Sequence, residues 1–454
     1  MRAGFRKKII LVSLAFLMAL SFVMGAFSSL KETKGNRSWV LAVRDRLVDH
    51  IPTLPFSMDK TLKSLLGASP TFPNSIDSLR YRLSTLERFD EPGQYHLALD
   101  HKGSLYALNR LNGNFFSFTK GQLSHGYELP NLSEAIAGIQ KDLAQPVLYT
   151  DLHFANQQFF FFVVVVTPDQ SKECGIAYSF RLDGKKILNM TRIFSTPCIQ
   201  DRLNTAMWGG RFANSKRALY LSIGEQRYDR SGFPKETYVA KREQENTESV
   251  FGCVLESVFP VKDFTRFSCG HRNTQGLFYS EADRHLYESE HGPSGGDEIN
   301  ILMRGHYYGW PQVSLGGAYG WPLEGPESGR DPFLDKSGSI SGYEKSLRNR
   351  GFYRGTHEGF DPPVASWIPS VGASALVQVP RDSSLRDWTG DLLLGTMTEK
   401  AIRRVRLSGT RLILDEKIEI RFRIRDMVLG KNNLIYISTD EYQLVALKFE
   451  AKNS

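Results

Sequence analysis

GLFYSEADRHLYES, residues 276–289, consists of two short apolar strands separated by a polar turn, and this pattern recurs along the chain. Similar stretches lie at 96–108 (HLALDHKGSLYAL), 210–222 (GRFANSKRALYLS) and 426–438 (DMVLGKNNLIYIS). Strand-rich segments at 159–194 and 375–407 bring the repeats to six units of about 45 to 70 residues. A blade of four antiparallel strands needs that length, so the sequence predicts an all-β, six-bladed β-propeller.

The two ends of the propeller are predicted to pair with each other. The segment 80–89 (RYRLSTLERF) has the pattern of a strand, and we expect it to complete the last blade beside residues 443–450. This pairing would close the ring and remove an open sheet edge. We therefore assign residues 80–454 to the propeller and residues 31–79 to a short, partly helical stalk.

Residues 1–30 are predicted to be a signal anchor. Residues 9–27 carry no charge and are long enough for one transmembrane helix, and four basic residues precede them: Arg2, Arg6, Lys7 and Lys8. The best cleavage site, after Ala26, places Met24 at −3, which favours an uncleaved anchor over a cleaved signal. Since the positive flank stays in the cytoplasm, we expect a single-pass protein of the inner (plasma) membrane, with the propeller in the periplasm or outside the cell.

Composition and charge exclude several classes of protein. The 454 residues are 41% hydrophobic and 23% charged, which is typical of a soluble globular fold. Half of the net charge of +8 lies in the N-terminal basic flank. The remainder has no concentrated basic face, so nucleic acid is not a predicted partner.

The four cysteines, Cys174, Cys198, Cys253 and Cys269, all lie in the exported part of the chain. Two disulfides are expected in that compartment. Three pairings are open, and four reduced thiols are the alternative. The spacing fits neither a structural zinc site nor a redox motif.

The segment 288–310 (ESEHGPSGGDEINILMRGHYYGW) is the richest in candidate ligands. A strand enters a Gly-Pro turn, two acids follow, and a second strand ends in aromatic residues. Backbone carbonyls and carboxylates together form the all-oxygen environment that calcium accepts. The alternative is that Asp297 and Glu298 belong to a solvated turn.

The motifs GHRNTQGL (270–277), EHGPSGGDEIN (290–300) and YYGWP (307–311) resemble those of the glucose/sorbosone dehydrogenase family. These are soluble propeller sugar dehydrogenases that use pyrroloquinoline quinone (PQQ), and the resemblance extends from about residue 90 to near the C-terminus. It implies a six-bladed propeller, PQQ and Ca²⁺ as cofactors, and a sugar (aldose) or other small polyol or alcohol as substrate. A homodimer is possible, and the sequence does not decide between it and a monomer.

The resemblance also implies roles for individual residues. The calcium ligands would be Gly292, Pro293, Asp297, Glu298 and Tyr308. The PQQ-binding residues would be Arg272, Asn273, Ser370, Arg423 and Arg425, and Arg272 would also stabilise the negative charge that develops in the reaction. Arginine suits the carboxylates of PQQ because it pairs with them in a bidentate manner. Taken alone, however, Arg423 and Arg425 have the alternation of a solvated strand face.

Two positions depart from the family pattern. Met207 occupies the position of the general-base histidine, and a thioether cannot accept the proton of a hydroxyl group. Thr398 occupies the position of a lysine that binds a PQQ carboxylate, and Lys400 lies two residues away. Because a positioned base contributes about 10²- to 10⁴-fold to a rate, these departures put catalysis in doubt.

Two hypotheses follow for the function. The first is a membrane-anchored, exported PQQ- and calcium-dependent sugar dehydrogenase in which another group replaces the histidine. The second is a catalytically inactive propeller that binds a carbohydrate or a partner protein. His291 and His306 are candidate replacement bases, whereas His153 is expected to be structural. The tryptophans Trp310, Trp321, Trp367 and Trp388 could stack on a sugar or pack between blades.

Overall fold

The computed structural model describes residues 72–73, 79–88, 94–118, 127–139, 146–169, 171–199, 207–225, 249–292, 295–310, 313–316, 353–354, 357, 359–383, 385–431 and 434–451. The chain divides into two units, Met1–Ala68 and Ser69–Ser454. The predicted anchor and nearly all of the predicted stalk lie outside the described residues. Within the described ranges, no helix has the length and apolar composition needed to cross a membrane.

The second unit is a six-bladed β-propeller, as the repeats predict. The strands of blades 1 to 3 are β3 (Tyr95–Leu99), β4 (Leu105–Asn109), β5 (Phe115–Phe118) and β6 (Tyr127–Leu129); β7 (Pro146–Ala155), β8 (Gln158–Val166), β9 (Glu173–Asp183) and β10 (Lys186–Ser195); and β11 (Gly209–Asn214), β12 (Ala218–Ile223), β13 (Cys253–Val258) and β14 (Thr265–Cys269). Each blade is an antiparallel sheet whose strands follow chain order.

Blades 4 to 6 have the same design, with a long connection inside blade 4. Their strands are β15 (Thr274–Ser280), β16 (His285–Glu290), β17 (Asp297–Leu302) and β20 (Ala365–Trp367); β21 (Ala373–Gln378), β22 (Leu392–Thr396), β23 (Ala401–Ser408) and β24 (Arg411–Glu419); and β25 (Ile424–Leu429), β26 (Leu434–Thr439), β27 (Gln443–Ala451), β2 (Leu79–Arg88) and β1 (Phe72–Pro73). The connection in blade 4 carries the parallel pair β18 (Val313–Ser314) and β19 (Tyr353–Arg354).

Ring closure follows the prediction from the two chain ends. Strand β2 pairs antiparallel with β27 from Leu79 opposite Ala451 to Arg88 opposite Gln443. The first strands of neighbouring blades contact one another in turn, and β25 contacts β3 to complete the circle. Two N-terminal strands, β1 and β2, and the three C-terminal strands therefore share one blade, which connects the two ends of the propeller.

Local sequence accounts for the strands and their turns. β8 (QFFFFVVVV) is almost entirely buried because its β-branched and aromatic side chains pack on both faces of blade 2. The turn before it places Asn156 and Gln157 at φ of 46° and 61°, the left-handed values of a two-residue hairpin. The single described α-helix, α1 (Leu132–Ile139), starts after Asn131, whose Oδ1 accepts a hydrogen bond from the Ser133 N–H at 2.7 Å.

The disulfides form between neighbours in the sequence. Cys174 at the start of β9 pairs with Cys198 in the segment after β10, and Cys253 pairs with Cys269 across β13 and β14. Of the three pairings left open by the sequence, the structure selects this one. Both bonds lie at the end of the propeller where second strands turn into third strands and the chain passes from blade to blade. We call this the upper end.

Candidate active site

Strand topology collects the predicted site residues at the upper end. Four blade-to-blade connections carry or flank Met207, Arg272 with Asn273, Ser370, and Arg423 with Arg425. Connections between second and third strands carry Gly292 and Thr398. In an antiparallel blade these two kinds of connection emerge on the same side, so residues far apart in sequence share one rim. Pro293 lies outside the described residues.

Arginines outnumber acids where blade 6 meets blade 1. The guanidinium groups of Arg423 and Arg425 both bind the carboxylate of Asp440, with Nε to oxygen distances of 2.8 and 3.0 Å. Arg110 lies at the end of β4 close to them, and its buried Nε has no hydrogen-bond partner within the described residues. Burial, together with the positive charges of Arg425 and Arg211, lowers the pKa of Arg110 to about 10. We call Arg110, Arg423 and Arg425 the arginine group.

The sequence did not single out Arg110. It follows the second strand of the first repeat, HLALDHKGSLYAL, and therefore comes from the end of the chain opposite to Arg423 and Arg425. Arg110 could have been found as a basic residue that directly follows a second strand, because second strands finish at the upper end of the propeller. The closed ring is what brings blade 1 beside blade 6.

Arg272 is buried and its orientation is fixed on several sides. Its guanidinium donates to the carbonyl of His291 at 2.8 Å and lies 5.3 Å from the centre of the Trp310 ring. Its backbone N–H donates to the Glu290 carboxylate at 2.6 Å. The Oδ1 of the buried neighbour Asn273 accepts a hydrogen bond from Gln275 at 2.9 Å. The pair predicted to lie near the cofactor is thus held in one position.

Met207 lies against the same part of the rim. Its side chain is 5% exposed. Its carbonyl oxygen packs so closely on Gly224 that a Cβ there would lie 1.7 Å from it, and only glycine fits. The next residue along, Glu225, donates its backbone N–H to the Arg272 carbonyl at 2.8 Å. The turn 223–225 therefore links the Met207 segment to the Arg272 segment.

The Gly-Pro turn is joined to blade 5 through Asp297. The Oδ2 of Asp297 accepts hydrogen bonds from the Ser370 hydroxyl at 2.7 Å and from the N–H groups of Gly372 and Ala373 at 2.7 and 3.0 Å. Burial raises the pKa of Asp297, but hydrogen bonds from His291 and Ser370 outweigh it, and the net pKa lies below its usual value. Asp297 is therefore an ionised group with most of its hydrogen-bonding capacity used by the protein.

Backbone oxygens crowd the turn at Gly292. A Cβ at this position would lie 2.2 and 2.3 Å from the carbonyl oxygens of Gly295 and Gly296. The turn therefore encloses a small space lined by oxygen atoms, which only glycine permits. That donor chemistry fits a calcium ion.

Glu298 and Tyr308 point away from this turn. Glu298 follows Asp297 on β17, so its side chain lies on the other face of blade 4. On that face it is directly opposite Glu290 of β16. The Tyr308 hydroxyl donates to the Ile301 carbonyl at 2.6 Å and accepts from the Met303 N–H at 2.9 Å. The predicted calcium ligands thus fall into two groups, Gly292 with Asp297 on one side and Glu298 with Tyr308 on the other.

The remaining predicted residues have varied surroundings. Thr398 is exposed and adjoins Gly372, where a Cβ would lie 2.7 Å from the Thr398 Oγ1. Lys400 is exposed. His153 bonds to Asn214 at 2.8 Å on the neighbouring first strand, and His306 pairs with Asp361 at 3.0 Å. Among the tryptophans, Trp367 donates to Asp415 at 2.9 Å, Trp388 is buried under Arg404, and Trp321 lies outside the described residues.

A largely buried group of one histidine, two acids and one arginine joins four first strands. We call it the ring cluster: His96 on β3, Asp151 on β7, Arg211 on β11 and Asp426 on β25. Arg211 bonds Asp426 at 2.8 Å and Asp151 at 3.2 Å, and it donates to the Nδ1 of His96 at 2.9 Å. Burial lowers the pKa of His96 to about 4, so the imidazole is a neutral acceptor at pH 7.

A second buried group lies on one face of blade 4. We call it the blade-4 cluster: His271, Glu288, Glu290 and Asn300. The Nδ1 of His271 lies 2.7 Å from Glu288, and the amide nitrogen of Asn300 donates to Glu290 at 3.2 Å and to Glu288 at 3.5 Å. Burial and the charge of Glu288 raise the pKa of Glu290 to about 7, and burial and Glu290 raise the pKa of Glu298 well above its usual value. Neither cluster was predicted from the sequence.

The sequence profile of the Glucose / Sorbosone dehydrogenase family matches residues 110–446. The chain belongs to the glucose/sorbosone dehydrogenase family. It is 26% identical over 373 residues to an aldose sugar dehydrogenase of Escherichia coli K12, covering 78% of this chain and 91% of that protein. It is also 26% identical over 203 residues to quinoprotein glucose dehydrogenase B of Acinetobacter calcoaceticus, covering 38% and 42% of the two chains.

Solved structures share the fold of this family member. The soluble aldose sugar dehydrogenase of Escherichia coli in its apo form superposes with a TM-score of 0.60 at 19% identity, covering 82% of this chain and 99% of that one. The PQQ-bound aldose sugar dehydrogenase of Streptomyces coelicolor superposes with a TM-score of 0.53 at 16% identity, covering 84% and 100%. At these identities the likeness concerns the propeller itself.

Proposed function

We propose that this family member is a membrane-anchored, exported sugar (aldose) or alcohol dehydrogenase that depends on PQQ and calcium. The observation that carries the proposal is the arginine group at the upper end. Two guanidiniums share the Asp440 carboxylate and Arg110 adds a third positive charge beside them. A surplus of arginine over acid at a half-buried rim favours an anionic ligand with several carboxylates, and PQQ is such a ligand.

Some residues of the rim would bind the cofactor, and others would stabilise the charge that develops in the reaction. When bound, PQQ would supply the acceptor for a hydride equivalent from the carbon that bears the substrate hydroxyl. The arginine group would pair with the carboxylates of PQQ. Ser370, in the connection from blade 4 to blade 5, and Thr398, between the second and third strands of blade 5, would also bind PQQ. On the opposite side, Arg272 would stabilise developing negative charge, since its guanidinium is already held by His291 and Trp310. Asn273 would donate a hydrogen bond next to it.

Calcium fits the oxygen-lined turn at Gly292 better than it fits a single shell of all five predicted ligands. Gly292 and Pro293 would offer carbonyl oxygens, and Asp297 supplies an ionised carboxylate next to them. The role of the ion would be to neutralise negative charge and polarise an oxygen atom of the bound ligand. Glu298 and Tyr308, on the other face of blade 4, would act there only if the loop rearranged.

The arginine group provides the direct test of cofactor binding. Replacing Arg423 and Arg425 together by alanine should weaken PQQ binding by several kcal/mol, because charge-assisted hydrogen bonds contribute about 1.5–3 kcal/mol each. Isothermal titration calorimetry with added Ca²⁺ measures the change. A double variant at two exposed arginines, Arg217→Ala with Arg411→Ala, is the matched control. If the Arg423/Arg425 variant binds PQQ as tightly as the wild type, the assignment is wrong.

Met207 supports a second candidate function, a propeller that binds a carbohydrate or partner protein without turnover. The two candidates are separated by Met207→His, which would place an imidazole at the rim beside the Arg272 segment. In a dehydrogenase pocket it should raise PQQ-dependent dye reduction with an aldose by at least about tenfold, a modest share of a general-base effect. Unchanged dye reduction in a variant that still binds PQQ would favour the binding protein.

The location of the protein is part of the proposal. Two disulfides in a chain with no described free cysteine suit an oxidising compartment, which supports export. The uncharged segment 9–27 after a basic flank supports anchoring in the inner membrane. Fractionation should recover the full-length chain with the membrane, and external protease should reach the propeller. Recovery of a soluble chain that begins near Phe27 would contradict anchoring.

A further inference from the structure

The blade-4 cluster brings two buried carboxylates and one imidazole close together. Glu288 and Glu290 lie on the same face of β16, and one nitrogen of His271 and one oxygen of each acid are all within 4.8 Å of one another. All three side chains are buried. Arg272 reaches Glu290 through its backbone N–H, while its guanidinium donates to the His291 carbonyl. Burying two carboxylates this close is unfavourable unless a cation or protons compensate them.

Asn300 provides an independent observation that points to a ligand at the cluster. Its side chain is 0% exposed and its amide nitrogen donates to both glutamates. Its carbonyl oxygen is buried and has no hydrogen-bond donor among the described residues. A buried polar atom of this kind usually has a partner in protein, water or an ion. A half-turn about the last side-chain bond would present this oxygen to the space between the acids.

The side chains around the cluster form hydrogen bonds of the kind that surround metal ligands. The Nε2 of His271 pairs with the Ser268 hydroxyl at 2.9 Å, and its Nδ1 lies 2.7 Å from Glu288. The hydroxyl of Thr274 donates to the other oxygen of Glu288. Metal-binding histidines and carboxylates commonly have such outer hydrogen bonds, which fix the tautomer and the orientation of each ligand.

We propose that the blade-4 cluster binds one divalent transition-metal ion of the zinc class, with His271 Nδ1, Glu288, Glu290 and the Asn300 carbonyl oxygen as ligands. One imidazole with carboxylates is a donor set that zinc accepts, whereas calcium prefers oxygen alone. Ligands of a tetrahedral zinc ion lie about 3.4 Å apart. The present separations of His271 Nδ1 from Glu288 and Glu290, 2.7 and 4.0 Å, lie on either side of that value.

The ion would fix the junction between blades 3 and 4. His271 belongs to the connection that follows β14, and both acids belong to β16, so one ion would hold the two blades together. Glu290 also accepts the Arg272 N–H, so the same ion would position Arg272 at the rim. This site is separate from the oxygen-lined turn at Gly292 and does not depend on PQQ.

The test uses the full-length chain in detergent, without a polyhistidine tag and without PQQ. After chelation and dialysis, the protein is loaded with Zn²⁺ and its metal content is measured. Co²⁺ is then used as a spectroscopic probe, because a nitrogen ligand changes its visible absorption. We expect one Zn²⁺ per chain, a higher melting temperature with Zn²⁺, and a Co²⁺ spectrum that excess Zn²⁺ removes and excess Ca²⁺ does not.

Glu288→Gln separates a metal site from a simple ion pair. It removes a ligand charge but keeps a group that can bond to Thr274 and His271, so the dissociation constant for Zn²⁺ should rise at least about a hundredfold. In chelator, this variant should melt at or above the wild-type temperature. Glu256→Gln is the matched control. Glu256 is a buried glutamate on β13 of blade 3, and it pairs with Arg304 outside the blade-4 cluster.

Two results would overturn the proposal. One is a wild-type protein that retains no Zn²⁺ or Co²⁺ at micromolar concentration. The other is binding that Glu288→Gln leaves unchanged, which would place the ion elsewhere. A Glu288→Gln variant that melts below the wild type in chelator, together with no metal binding, would identify a structural pair of His271 and Glu288. Because PQQ is absent from every arm, failure here leaves the proposed dehydrogenase function untouched.

Discussion

The ring cluster and the blade-4 cluster each combine one histidine with two buried acids, but they differ in their source of positive charge. In the ring cluster, the Arg211 guanidinium lies 2.8 Å from Asp426 and 3.2 Å from Asp151. In the blade-4 cluster, the Nδ1 of His271 lies 2.7 Å from Glu288, and the backbone N–H of Arg272 donates to Glu290 at 2.6 Å. Burial raises the pKa of Asp426, yet Arg211 and His96 outweigh it and the net pKa is low, whereas the pKa of Glu290 rises to about 7. The Arg211 guanidinium therefore keeps Asp426, the acid that it contacts at 2.8 Å, ionised.

The largest effect is expected from removing the cation of the ring cluster. Arg211→Met leaves Asp151 and Asp426 buried without their partner, which should lower the free energy of unfolding by about 3–5 kcal/mol. Denaturant titration of the wild type and the variant measures this difference. Arg217→Met, at an exposed arginine six residues away, is the control and should change stability by less than about 0.5 kcal/mol. Equal stability of Arg211→Met and the wild type would mean that the two clusters do not differ as described.

A smaller effect is expected in the pH dependence of stability. Burial and the charge of Asp426 raise the pKa of Asp151 from 3.8 to about 7, despite Arg211. The folded state therefore holds a proton that the unfolded state releases, and stability should fall as pH rises from about 4 to 7. Asp151→Asn should remove this contribution, which is on the order of 3 kcal/mol across the window. The lowered pKa of His96 makes stability rise with pH over part of this range. His96 is present in both proteins, so the difference in stability between them isolates Asp151.

Unfolding titrations at pH 4.5, 6 and 7.5 check this prediction. The stability of Asp151→Asn relative to the wild type should increase with pH. A constant difference between the two proteins at all three values would show that Asp151 stays ionised, and that Arg211 neutralises both acids.

The sequence was sufficient for the propeller fold, but not for the clusters. Repeats such as 276–289 contain their own strands and turn, and ring closure required only one strand pattern at each end. The ring cluster instead joins His96 to Asp426 across the whole chain, and each residue alone is an ordinary polar position in an alternating strand. Arg110 was missed for the same reason. Contacts across a closed ring carry no local signal.

The local motifs gave the candidates but not their partners. The segment 288–310 predicted that Asp297 and Glu298 would act together, yet alternation along β17 directs them to opposite faces. The neighbouring Glu288 and Glu290 share the face of Glu298 because they are in register with it across β16 and β17. That register depends on the length of the turn at 291–296, and it sets which acids gather together.

The measurement that most directly tests the central claim is the absorption spectrum of PQQ added, with Ca²⁺, to the full-length wild-type protein in detergent. The arginine group predicts that binding shifts the quinone spectrum at micromolar protein, and the dehydrogenase function predicts that an aldose then bleaches it. Arg423→Ala with Arg425→Ala should lose the shift. An unshifted spectrum with wild-type protein would contradict the PQQ pocket, whereas a shift that no sugar or alcohol bleaches would contradict the dehydrogenase and leave a binding protein.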